Sequence, residues 1–248
     1  MSSTPSFDPI RSEPAYRRVA SAISERIVAR TLKDGDTLPT ETALAAQLGV
    51  NRGTLREALR ELESNGLLER RKGSKRLVVS HPAPAAVARG VSRALALQDV
   101  TVHEICEALE LLEPQLAAAA AQRRSAPQLA ALESATARFA AGATTPGSRT
   151  AEAVDGVGEF FRALATASNN PVYAMMQEPL LQLLQSSLIV MIDRAPNARA
   201  RISVAQRRLL EAVADGKSEQ ASDWMGKHVR DFRRGFELAG IDLSYRIG

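Results

Sequence analysis

From Ala86 onward the sequence carries almost no strand signal, and this limits the fold more than any other feature. Long Ala- and Leu-rich segments follow one another, broken only at "QDVT", "RRSAPQ", "AAGATTPGSRT", "SNNP", "RAPNAR" and "ADGKSE". Straight-chain apolar residues and alanine favour helix, and aromatics make up only 4% of the chain. Six or seven helices are expected, at 84–97, 102–123, 127–141, 150–168, 171–193, 197–215 and 218–238. Asn170 followed by Pro171 is an N-cap and first-position pair. No internal repeat is visible, so this part is expected to be an all-α bundle over 87–240.

The first third of the chain has a different grammar. Val19, Ile23 and Ile27 recur every four residues, which predicts a helix from about Pro14 to Thr31. "KDGDTLP" reads as a turn. Thr40 then caps a short helix that closes at Gly49, and Asn51 caps a third running from Arg52 to about Asn65, with Gly66 suited to its exit. "LLER" and "RLVVS", joined by "RKGSK", read as a short hairpin bent at Gly73. Three helices and a hairpin make a compact unit over 12–80, and "HPAPAA" at 81–86 reads as a linker. The fold class is therefore mainly α.

Charge separates the same two parts. Residues 11–80 hold 14 Lys and Arg against 9 Asp and Glu, whereas 81–248 hold 18 of each. The positive excess lies wholly in the first unit, which points to a polyanionic partner there.

The stretch "LGVNRGTLREALRELESNGLLERRKG" concentrates that excess. On a helical wheel Leu55, Leu59 and Leu62 form a core seam, and Arg52, Arg56 and Arg60 form a second stripe about a quarter-turn away. With "AAQLG" before it, this makes a helix-turn-helix, whose second helix enters the DNA major groove N-terminus first. Guanidinium groups either read guanine edges or clamp phosphates. Gly53 permits close backbone approach, Thr54 is short enough to meet a phosphate, and the helix N-terminus adds a positive end. Arg60 suits an intrachain pair with Glu57 or Glu63. At the hairpin tip Arg71, Lys72, Gly73, Ser74 and Lys75 are placed to touch the neighbouring groove or backbone.

"GDTLPTETALAAQLGVNRGTLREALRELESNGLLERRKG" resembles the winged-helix DNA-binding domain of the GntR family of bacterial transcription regulators, over about Tyr16 to Val79. LP-x-E, LGV-x-R, LREALR-x-L and GLL fall in register. The resemblance implies operator contacts from Arg52 and Arg56, helped by Thr54 and Gly73. A contact that the family usually takes from an arginine of the preceding helix falls on Thr42, and the usual Gly-x-Gly-Thr wing becomes "GSKR".

The second part resembles the FadR-like subfamily, whose effector domain, the FCD domain, is a helical bundle. "LELLEPQLAAAAA", "EFFRALATASNNP", "LLEAVADGK" and "DWMGKHV" match its segments in order. Many members hold a divalent metal with one Asp and three His. Here the Asp position falls on Val157, two His positions on Phe161 and Gln206, and only His228 survives. An arginine common on the domain's first long helix aligns with Leu109. The resemblance therefore implies an effector pocket around Leu109, Val157, Phe161, Gln206 and His228 with no metal and no other cofactor. That pocket either takes an apolar or acyl-type effector or is filled by Phe161 and its neighbours. Arg162 and Arg234 are candidates for an anionic head group.

Taken together, a homodimeric, ligand-responsive repressor on a double-stranded pseudo-palindromic operator is expected. The alternatives are an effector-independent repressor and an architectural DNA-binding protein. An enzyme is not expected: there is no Gly-rich phosphate loop, and the histidines are only His81, His103 and His228. A lone Cys106 and the lack of a signal peptide or membrane-length apolar run suit a cytoplasmic protein.

Overall fold

In the computed structural model, residues 13–71, 76–82, 84–144 and 149–247 are described. The chain divides into two compact units at Pro84.

In the first unit, α1 (Ala15–Val28), α2 (Glu41–Leu48) and α3 (Arg52–Ser64) precede the strands β1 (Leu68–Arg70) and β2 (Leu77–Val79). The strands pair antiparallel, with Leu68 opposite Val79 and Arg70 opposite Leu77. Val19, Ile23 and Ile27 from α1 meet Leu55, Leu59 and Leu62 from α3 in one core, which Leu44, Leu68 and Leu77 complete. The segment expected to be only a turn does more. Gly35 N–H donates to the Val79 carbonyl and Leu38 N–H to the Leu77 carbonyl, at 2.9 Å each, so residues 35–38 flank β2 on its free edge. Gly35 has φ +85°, a left-handed conformation that glycine adopts without strain.

The helix ends follow from their caps. Thr40 Oγ1 accepts from Ala43 N–H at 3.3 Å, and Asn51 Oδ1 accepts from Thr54 N–H at 2.8 Å. Gly49, at φ +65°, ends α2 in the left-handed conformation, and Gly66 at φ +72° follows α3. Asn51→Ala is expected to lower the stability of this unit by about 1 kcal/mol, with Asp restoring most of it. Urea unfolding of the two variants measures this, and an unchanged midpoint for the alanine variant would refute it.

The second unit holds α4 (Pro84–Ala96), α5 (Val102–Arg123), α6 (Ala126–Thr144), α7 (Thr150–Ala167), α8 (Pro171–Arg194), α9 (Ala198–Ala214) and α10 (Ser218–Leu238). Its pairings join α5 with α10, α6 with α7, and α8 with both α4 and α7. The linker expected at 81–86 is shorter, because α4 begins at Pro84, a residue whose fixed φ and absent N–H suit a first helical turn. The unit also runs past the expected residue 240. Val102 N–H donates to the Tyr245 carbonyl, His103 N–H to that of Leu243, and Ile247 N–H to that of Val100. Ile247 is buried by this return. Thr101 and Glu104 form a reciprocal capping box at the start of α5.

Two prolines sit inside helices, Pro114 in α5 and Pro179 in α8, and each removes one backbone hydrogen bond. Beside them lies a buried polar pair. Gln177 Nε2 donates to both carboxyl oxygens of Glu113, at 2.9 and 3.1 Å, and neither residue reaches solvent. Burial pushes the Glu113 carboxyl up to about 8, against the smaller opposing effect of the Gln177 hydrogen bond.

Candidate DNA interface and effector pocket

α2 and α3 are joined by three residues, with Gly49 turning the chain and Asn51 opening the next helix. The Asn51 cap satisfies the N–H of Thr54, while the N–H groups of Arg52 and Gly53 precede the first intrahelical bond, from Leu55 to Asn51, and so have no acceptor within the helix. This is the arrangement in which a helix N-terminus accepts a phosphate. Arg52 and Gly53 are exposed and Thr54 is half-buried. An added Cβ at Gly53 would stand 3.2 Å from Asn51 Oδ1. Glycine here therefore leaves room for the cap as well as for a close approach.

The arginines of α3 differ in how they are held. Among the described residues Arg52 makes no ion pair. Arg56 Nε donates to Glu41 Oε2 of α2 at 2.8 Å, and that hydrogen bond holds the Glu41 carboxyl below its ordinary range. The η nitrogens of Arg56 remain for an outside partner. Arg60 does not take the expected pair: Glu63 is bonded by Arg70 at 2.9 Å, and among the described residues no ion pair reaches Arg60. The cause is the hairpin, which delivers Arg70 to the end of α3. Glu41 was the residue the sequence reading missed. The signal was there in the LP-x-E motif, but only the fold brings it against a side chain 15 positions away.

Thr42 is exposed in the first turn of α2. Arg71 is exposed at the end of the hairpin's first arm. Lys72, Gly73, Ser74 and Lys75 lie outside the described residues.

In the second unit Leu109, Val157, Phe161, Gln206 and His228 come from α5, α7, α9 and α10, and all five are buried. Phe161 stacks on His228 with ring centroids 5.9 Å apart and planes at 13°. Phe232 closes on the same imidazole at 4.6 Å. Both side-chain polar atoms of Gln206 and both ring nitrogens of His228 are buried without a partner among the described residues. Burial pushes the His228 imidazolium down to about 4, so the ring is neutral at physiological pH. A metal cage does not fit here. Leu109, Val157 and Phe161 offer no donor atom, and a single imidazole beside an amide is a poor ligand set for a transition metal. No group of three or more His, Cys, Asp or Glu stands together for a metal among the described residues.

Of the two arginines considered for a head group, Arg162 is committed to the buried Glu178 at 2.9 Å, and Arg234 is exposed on α10. The His103 and Glu107 side chains form an exposed pair at 3.5 Å. Cys106 is buried, with its thiol pushed up to about 11 by desolvation, which leaves it a poor nucleophile. Among the described residues no helix is long and apolar enough to cross a membrane.

Comparison with known proteins follows the same division. Residues 15–78 match the bacterial regulatory proteins of the gntR family, and residues 104–231 match the FCD domain. The mannosyl-D-glycerate transport/metabolism system repressor MngR of Escherichia coli is 48% identical over 62 residues, which is 25% of this chain and 26% of MngR. The chain thus spans only about a quarter of that relative. The HTH-type transcriptional regulator LutR of Bacillus subtilis is 27% identical over 202 residues, covering 80% of this chain and 90% of LutR. A solved GntR structure from Streptococcus agalactiae superposes with a TM-score of 0.64 at 25% identity, covering 88% of this chain and 99% of that one. With a winged helix-turn-helix in front of a helical bundle that matches over more than half of its length, the chain belongs to the GntR family of DNA-binding transcription regulators and carries an FCD domain.

Proposed function

We propose that this protein is a cytoplasmic, homodimeric repressor that binds a pseudo-palindromic operator and releases or tightens on it in response to a small organic effector. The observation that carries the DNA reading is the first turn of α3. There Arg52, without an ion pair among the described residues, stands at the helix N-terminus, and Arg56 is steadied by Glu41 one helix away. Asn51 and Thr54 set that turn by their cap bond. Thr42 and the wing residues Lys72, Gly73, Ser74 and Lys75 complete the proposed contact surface. MngR is itself named a repressor, which favours repression as the direction.

The effector reading rests on Gln206 and His228, whose four polar atoms lack partners among the described residues. Leaving such atoms unmet costs on the order of 1–3 kcal/mol per group, and a ligand or ordered water relieves that cost. The pocket is metal-free, and Leu109, Val157 and Phe161 give it apolar walls. Phe161 and Phe232 against His228 favour a second reading, a filled core in a repressor that needs no effector.

Fluorescence anisotropy with DNA from the protein's own promoter and with random DNA of equal length tests both readings. Binding tighter to the former by about a thousandfold or more is expected of a specific regulator. Equal affinities that fall together with salt would instead mark an architectural protein. Native mass spectrometry of untreated protein should give a dimer with an added organic mass, and the bare dimer mass would favour the filled core.

A further inference from the structure

A groove of about 420 Å³ lies between α9 and α10. Val204 and Trp224 wall it, Arg201 and Asp231 stand at one end, Lys227 stands on the rim, and His228 reaches it from the core. Its charges do not cancel. Arg201 and Asp231 are joined in an ion pair, whereas Lys227 has no ion pair among the described residues and sits over the Trp224 ring at 4.8 Å. With the imidazole neutral, the groove keeps one uncompensated positive charge above apolar walls. A separate gap of about 10 Å³, also lined by His228, Arg201 and Asp231 together with Met191 and Phe232, has room for about one water. His228 lies beneath the groove: it is 2% exposed, and its two ring nitrogens are sealed just below the surface with no partner among the described residues. A neutral imidazole offers one donor and one acceptor, so an occupant with a polar group at that depth meets an unmet need.

We propose that the groove between α9 and α10 is a binding site for an organic monoanion with a compact apolar body. Its anionic group lies at Lys227, its body lies against Val204 and Trp224, and its inner end reaches His228. The volume suits a ligand of the size usual for small-molecule clefts. This inference rests on the ligand-responsive reading above for its purpose and on the groove itself for its chemistry.

Trp224 is the chain's one tryptophan, so the site contains its own reporter. Anilinonaphthalene sulfonate, titrated into the full-length protein, is expected to quench Trp224 emission by energy transfer at one probe per chain. N-phenylnaphthylamine has the same aromatic body without the sulfonate and separates charge from apolar contact. Lys227→Gln should weaken the sulfonate about tenfold, the worth of a charge-assisted contact, and leave the neutral probe unchanged. Val204→Glu, at a side chain 46% exposed and so safe for folding, should remove both. Absence of Trp224 quenching, or affinities indifferent to both substitutions, would overturn the site. Operator binding measured with the sulfonate present separates this inference from the regulatory reading. Unchanged operator affinity with both variants behaving as stated leaves the site standing and removes its regulatory role.

Discussion

Glu113→Gln is expected to raise the stability of the second unit by on the order of 4 kcal/mol at pH 8 and to leave it unchanged at pH 4. Glu113 is sealed inside the bundle with Gln177 as its hydrogen-bond partner, and burial pushes its carboxyl up to about 8. Between the ordinary glutamate range and pH 8 the folded chain keeps a proton there that the unfolded chain has released. Stability therefore falls as pH rises through that window and levels off above it. Glutamine has the same shape and no proton to lose, and its amide oxygen can still accept from Gln177.

His228 contributes the opposite slope over part of the range. Its folded value lies near 4, below that of an unfolded histidine, so between about pH 4 and 6.5 stability rises with pH. The two slopes partly cancel in the wild type below pH 6.5. The informative quantity is thus the difference between variant and wild type, followed by thermal or urea unfolding from pH 4 to 9. A flat difference would mean that Glu113 is ionised in the folded protein and that some further group compensates it.

Much of this molecule was legible in the sequence because its helices announce their own ends. The start of α5 is set by Thr101 and Glu104, that of α8 by Asn170 and Pro171, and that of α3 by Asn51, all interactions within a few residues. The first turn of α3, which we propose faces DNA, was legible for the same reason. What escaped was long-range. Residues 35–38 pair with β2 through backbone atoms alone, which leaves no periodicity to read. The tail at 241–247 docks on the start of α5 across most of the unit's sequence. Glu113 and Gln177 are 64 positions apart, and neither looks unusual until the bundle buries both. The groove at Trp224 depends on two helices lying side by side, and the sequence reading named neither Lys227 nor Arg201.

Arg52→Ala is expected to cost about 1–3 kcal/mol of operator affinity, roughly 5- to 150-fold, if the guanidinium reads a base edge. The structure gives a reason to expect more from Arg52 than from Arg56. Among the described residues Arg52 makes no ion pair that would hold its planar donors when DNA approaches. Arg56 already donates Nε to Glu41, an exposed pair whose own worth is small, so the role we propose for that pair is to present the η nitrogens in a fixed direction. Two further substitutions separate these functions. Glu41→Gln removes the anchor while keeping Arg56, and it should weaken binding less than Arg56→Ala. It should also do so about equally on operator and random DNA if Arg56 is a phosphate clamp. Arg52→Ala should instead narrow the gap between operator and random DNA. A loss identical on both DNAs would reassign Arg52 to the backbone, with a salt slope reduced by about one. Undiminished affinity on both would remove α3's first turn from the interface and leave the basic excess of the first unit to explain by its wing.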